Sequence, residues 1–262
     1  MMTLPDCTFP DKKLWLYATL LICLISQYGF GQTRAQVDYY YDYIKPLLRL
    51  HQSGQSLTAT LDSLPTIPRF SRGTISHQFD RDIDFGLRHQ RTYIQTYLVS
   101  FQLDVVSLNG QLVALSAAVT SRDENPIPRQ NQLLQSYDTA AIRTFLAHRN
   151  TFYQSHKTLS DFFTELQASE LYALTCGDAF AKTTQGLQIE RLARQNQVPA
   201  LAEMLGSIHC ETQAYAVAGF NLLKNQHKIT PQQRLLISHI KQRNSVVVTC
   251  AGCLSGLLRT IY

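Results

Sequence analysis

Residues 97–119 read YLVSFQLDVVSLNGQLVALSAAV, and two incompatible folds compete for them. Tyr97, Val99, Phe101, Leu103 and Val105 alternate with Ser100, Gln102 and Asp104, the period of a half-buried strand. Asn109-Gly110 follows, the strongest short hairpin signal, and residues 112–119 return as a second strand. A two-residue turn places Val106 opposite Val113 and Leu103 opposite Ser116. Against this, Ile94, Leu98, Phe101, Val105, Leu108, Leu112, Leu115 and Val119 step by threes and fours, as in a helical heptad. A continuous helix must carry Asn109-Gly110 inside it, at about 1.5 kcal/mol relative to alanines. The hairpin is therefore expected, and with it a β-meander.

Working outward, residues 75–87 alternate too. Ile75, Phe79, Ile83, Phe85 and Leu87 share one parity, with His77 and Arg81 among them; Asp80, Asp82 and Asp84 share the other. This predicts one strand with a wet face. Residues 37–52 read as an opening helix with Ile44, Leu47, Leu48 and His51 at helical spacing and Pro46 inside. Asp123 to Pro128 carries two prolines and reads as a linker.

From Leu133 onward the chain reads as helical. Asp138 is a cap for a helix burying Ile142, Phe145 and Leu146, and Thr158 caps another with Asp161 three residues on. Pro199 suits a first helical turn and Gly206 an end. Thr230-Pro231-Gln232-Gln233 combines a cap, an N1 proline and an N3 glutamine, and Leu236, Ile237 and Ile240 then face inward. The expected architecture is α+β: a small antiparallel β-meander region followed by a larger helical-hairpin domain. The domain boundaries are 1–31, 32–128 and 129–262.

The first segment reads as an address. Lys12 and Lys13 precede an apolar run of about 12 residues, and Gly29-Phe30-Gly31 supplies small residues for cleavage after Gly31. A membrane span needs about 20 residues, and no second long apolar run follows. The chain is thus expected to be secreted or periplasmic, starting at Gln32, with no stable membrane insertion after cleavage. Only 16% of residues are charged, against roughly 25% in an average protein. The net charge of +5 is spread along the chain, so nucleic acid is not an expected partner.

Export leaves Cys176, Cys210, Cys250 and Cys253, an even number in an oxidising compartment, which favours disulfides. Short spacing makes Cys250–Cys253 with Cys176–Cys210 the simplest pairing; crossed pairings tie the C-terminus back to the helical region. Residues 246–258, a β-branched run, C-x-x-C and then Leu254 to Leu258, mimic the strand–CxxC–helix order of thioredoxin-like redox sites. Few residues follow, so a redox or metal-dependent activity centred there is the alternative reading. His209-Cys210, with Cys176 and Asp178, invites a catalytic or zinc reading against a plain loop histidine. Asp80, Asp82 and Asp84 offer three hard-oxygen ligands for a weak cation site, though Phe85 and Arg91 stand where an EF-hand needs glycine and an acid. No nucleotide, hydrolase or metalloprotease fingerprint occurs, and neither catalytic residues nor a cofactor are assigned.

Pro199-Ala200-Leu201, residues 214–223 and residues 230–240 resemble a HEAT-type helical repeat unit. No second copy appears at a fixed period. The resemblance implies helix stacking and a protein partner bound through the helical region. The expected function is a non-catalytic interaction or structural protein of the envelope or extracellular space.

Overall fold

The computed structural model describes residues 74–95, 100–120, 131–177, 179–224, 229–252 and 254–262. The leader, the opening helix at 37–52, the linker at 123–128, Asp178 and Cys253 lie outside them. The first five elements are strands: β1 (Thr74–Asp84), β2 (Leu87–Gln95), β3 (Ser100–Leu108), β4 (Gln111–Thr120) and β5 (Asn131–Tyr137). They form one antiparallel sheet in the order β1-β2-β3-β4-β5, a meander in which each strand pairs with its sequence neighbour.

The hairpin wins at residues 100–120. Asn109 and Gly110 both take positive φ, 52° and 81°, as a type I′ turn requires. The heptad spacing is a by-product of burial on both faces. Leu103, Asp104, Val105 and Val106 are all buried, so apolar residues occupy both parities and helical spacings arise without a helix. The register differs by one residue from the simple expectation. A bulge at Val113 makes Val106 face Ala114 and Leu103 face Ala117, and Val113 and Ala114 are both buried.

The predicted single strand over 75–87 is two strands. Phe85 and Gly86 form a second positive-φ turn, at 47° and 81°, and Leu87 opens β2. A bulky aromatic is a poor left-handed residue, so sequence gave little warning. The Phe85 ring is fixed by tertiary packing on His148, Phe152 and His239. The two turns also touch: the Asn109 N–H donates to the Gly86 carbonyl at 2.9 Å.

Among the described residues six helices follow: α1 (Thr139–Tyr153), α2 (Leu159–Gln167), α3 (Thr184–Arg194), α4 (Val198–Leu205), α5 (Cys210–Leu222) and α6 (Pro231–Arg243). The expected caps form. Asp138 accepts from the Ala141 N–H, and Thr158–Asp161 and Thr230–Gln233 close reciprocal capping boxes. Helix α3 falls in the stretch that reads as helical, and its cap is Thr183. The helical reading fails at both ends of this half. Asn131–Tyr137 pairs with β4 as a strand, and β8 (Val247–Ala251) turns back as β9 (Leu254–Arg259). A short ribbon, β6 (Thr175–Cys176) with β7 (Ala181–Lys182), precedes α3.

One core layer joins the sheet to the helices. Ile83, Leu87 and Val106 pack with Ile142, Phe145 and Phe162. A second cluster lies among the helices around Ile189, Leu201, Leu205 and Phe220. Two buried arginines strap helix ends to this assembly. Arg91 donates to the Leu166 and Ala168 carbonyls at the end of α2, at 2.6 and 3.1 Å. Arg149 donates to Gly206 and Ser207 beyond α4, at 2.8 and 2.6 Å. Each guanidinium satisfies carbonyls a helix end leaves orphaned and sits at its negative pole.

Candidate functional site

The three aspartates offered as a cation site do not share a face. Asp80 is exposed and holds Arg88 at 2.6 and 2.8 Å. Asp82 is exposed as well. The bulge between Asp82 and Asp84 reverses the alternation, so Asp84 turns inward and is 3% exposed. There its carboxylate accepts from Arg149 Nε (3.1 Å), Tyr153 Oη (3.1 Å), His239 Nε2 (2.9 Å) and Arg243 Nη1 (2.7 Å). Burial opposes its charge, but the His239 hydrogen bond and the two guanidinium charges outweigh that, leaving Asp84 below the usual carboxylate range. A buried carboxylate held by two guanidiniums, an imidazole and a phenol is not presented to a calcium ion.

Two further buried carboxylates are paired with arginine; Asp104 accepts on both oxygens and Glu211 on Oε1 alone. Asp104 accepts from His89 Nε2 (2.9 Å), Arg91 Nε (2.6 Å) and Gln102 Nε2 (2.6 Å). Glu211 accepts from Arg81 Nη1 (2.6 Å) and the Val248 N–H (2.8 Å). His209 Nε2 stands 3.0 Å from Glu211 Oε2, out of line for a hydrogen bond. Burial pushes both His89 and His209 down to about 4, so each is a neutral imidazole at pH 7. These clusters tie the sheet to α1, α5, α6 and β8. Among the described residues, no group of three or more His, Cys, Asp or Glu is placed to hold a metal ion.

The cysteines correct the expected pairing. Cys176 is bonded to Cys250, which joins β6 to β8, one of the crossed arrangements. Cys210 is free and buried at the start of α5. His209 beside it bonds Thr212 Oγ1 through Nδ1 at 3.1 Å, so it faces neither Cys176 nor Cys250 as a base. The thioredoxin-like order also fails. The chain after the C-x-x-C continues as strand β9, so no helix N-terminus lowers a cysteine pKa there.

The disulfide closes a feature that sequence did not signal. The described residues between Leu174 and Lys182 form a knuckle around the β6–β7 ribbon. Its turn meets the β8–β9 turn, where the Gly177 N–H donates to the Gly252 carbonyl at 2.8 Å. Phe180 is 69% exposed on the first turn, and Leu254 is 64% exposed beside the second. Leu174 and Leu187 are exposed at the knuckle base and on α3. The helix pair α5–α6, where the repeat resemblance placed a partner, exposes Leu222 and Leu235.

Open cavities among the described residues border α4. The larger, about 640 Å³, is lined by polar groups including His156, Lys157, Asp161, Glu203 and Gln232. The smaller, about 270 Å³, borders Glu165, Glu170, Glu203 and His209. Glu165 is already occupied: it accepts from Lys157, from Ser207 Oγ at 2.7 Å and from the Ile208 N–H.

Arg81, which shares the parity of the apolar residues of β1, is buried. Phe180, between Gly177 and Lys182 with no periodic neighbour, left no signal. No known family, curated protein or solved structure matches this chain. Among the described residues, no helix is long and apolar enough to cross a membrane.

Proposed function

We propose that the protein is an exported, non-catalytic interaction module that contacts a protein partner through its disulfide-tied knuckle. The observation that carries this reading is the exposure of Phe180 on one turn and of Leu254 beside another, the two turns being fixed to each other by Cys176–Cys250 and by the Gly177–Gly252 hydrogen bond. An exposed aromatic on a rigid support loses little entropy when it is buried by a partner, which is how interface anchors are built. The buried carboxylates of the interior support the same reading, because Asp84, Asp104 and Glu211 are each held by arginine and serve the packing of the fold. A disulfide between distant strands accords with an oxidising compartment and with the leader-like segment ahead of Gln32.

The test is site-specific photo-crosslinking in the exporting cell. A photoreactive residue at position 180 is expected to give one discrete protein adduct, and Leu254→Ser is expected to remove it. The same residue at exposed Gln188 on α3 serves as the control. Equal labelling at 180 and 188, or none at 180, would reject the interface. N-terminal sequencing of the released chain checks export independently, with Gln32 as the expected start.

A further inference from the structure

We infer that the Cys176–Cys250 bond is a redox latch on the knuckle: a dithiol that reduces it frees residues 174–182 while the rest of the fold stays intact. The inference rests on the reading of the knuckle as the contact surface and names how that surface is regulated. Its basis is the lack of any core beneath the ribbon. Every described side chain from Leu174 to Lys182 is exposed or half-buried, and each strand of the ribbon is two residues long. Such a ribbon is not stable alone.

Among the described residues its non-covalent ties fall at the tip, the flank and the base, where the Thr183 N–H also donates to the Leu174 carbonyl at 3.1 Å. At the tip there is the Gly177–Gly252 hydrogen bond. On the flank, Lys182 pairs with Glu190 at 2.6 Å, an exposed contact of small value. The base is stronger and independent of the sulfurs: the Ala173 N–H donates to Tyr215 Oη at 2.9 Å, Tyr215 Oη to the Leu171 carbonyl at 2.9 Å, and Thr183 Oγ1 to Ala173. Breaking the disulfide therefore loosens the segment between those anchors. The ribbon also stores strain that favours opening, since Phe180 sits at φ 50°, a conformation costly for a bulky residue. Cys176 is half-buried, so an incoming thiolate has access to it. Cys210 is 2% exposed and takes no part.

The exchange balances. A dithiol thiolate attacks Cys176 Sγ, the Cys176–Cys250 bond breaks, and Cys250 leaves as a thiolate that takes a proton. The second thiol of the reductant then attacks the mixed disulfide. The reductant ends as its own disulfide, and two electrons and two protons reside on Cys176 and Cys250.

The experiment is hydrogen exchange on the full exported chain carrying Cys253→Ser, so that Cys250 has no nearby alternative partner. It is run with and without dithiothreitol, with thiol alkylation and mass to count reduced cysteines. The Gly177 amide and its neighbours are expected to lose protection by at least about tenfold on reduction. Amides of α1 and α5 should stay unchanged. Cys176→Ser should reproduce the reduced pattern without reductant. Three results would overturn the latch: a bond that resists dithiothreitol in the folded chain, a reduced knuckle that keeps its protection, or loss of protection throughout the helices. Photo-crosslinking from position 180 separates the two claims. Unlatching without any adduct in the oxidised chain rejects the partner reading and keeps the latch; an adduct that persists with an unchanged knuckle does the reverse.

Discussion

At Asp84 four donors from α1 and α6 converge on one carboxylate. Removing one member of such a buried cluster leaves the others charged and unpaired, which is costlier than any single bond suggests. Asp84→Ala is expected to lower unfolding free energy by about 3–5 kcal/mol in urea titration. Asp80→Ala, four residues earlier on the exposed face, is expected to stay within about 1 kcal/mol. Equal effects would mean that the inward turn of Asp84 does not matter. The buried histidines set a pH dependence of definite sign. His89 and His209 are lowered to about 4 from 6.5, so between those values the folded chain binds fewer protons than the unfolded chain. Stability is full above about pH 6.5 and drains as pH falls toward 4, each histidine adding a slope of up to about 1.4 kcal/mol per pH unit. Asp84, Asp104 and Glu211, all lowered, extend the loss below pH 4.5. His89→Gln should halve the slope between pH 5 and 6, measured as urea midpoints; an unchanged slope refutes the assignment. Arg81 shares the parity of the apolar residues and is buried with them, whereas Asp84 shares the parity of the wet face and is buried all the same, because a bulge shifts parity and leaves no mark in the residue pattern.

Elements with chemical start signals were legible, and elements made by tertiary pairing were not. Asp138, Thr158 and Thr230 each cap the helix they announced, because a capping side chain acts within three residues. Strand β5 lies where the sequence reads as helical, because its structure comes from the edge of β4, a non-local cause. The two glycine turns test this distinction. Gly86 and Gly110 share φ 81°, so alanine at either costs roughly 1–2 kcal/mol of backbone strain. They differ in surroundings. A Cβ at Gly110 meets nothing within 4 Å, whereas one at Gly86 falls 2.1 Å from Asn109 Oδ1. Gly86→Ala is therefore expected to be the more destabilising in thermal melts, and the excess should shrink when Asn109→Ala is added. Equal costs in the Asn109 wild-type background would show that the two turns do not press on each other.

Across the whole molecule, the sheet and helices are held by charge as well as by apolar burial. Arg91 and Arg149 reach helix ends 75 and 57 residues away in sequence. An arginine in a polar stretch looks like a surface residue until its carbonyl partners are in place, which is why the strapping was illegible. The disulfide is the covalent counterpart, spanning 74 residues. Its contribution lies largely in the unfolded chain, whose loop it closes, so the folded structure should survive without it. Cys176→Ser is expected to lower the unfolding free energy by about 2–4 kcal/mol in urea while the far-ultraviolet circular dichroism stays native. Cys253→Ser should leave the midpoint where it is, because Cys250 is already engaged with Cys176. The short-range pairing predicts a different pattern: Cys250 would be tied to Cys253, and Cys176→Ser would release Cys210 instead. Tryptic mapping of the unreduced protein decides between them. A linked peptide pair containing Cys176 and Cys250, with Cys210 alkylated only after denaturation, is the expected result; a Cys176–Cys210 link would undo the strand-to-strand tie on which the knuckle depends.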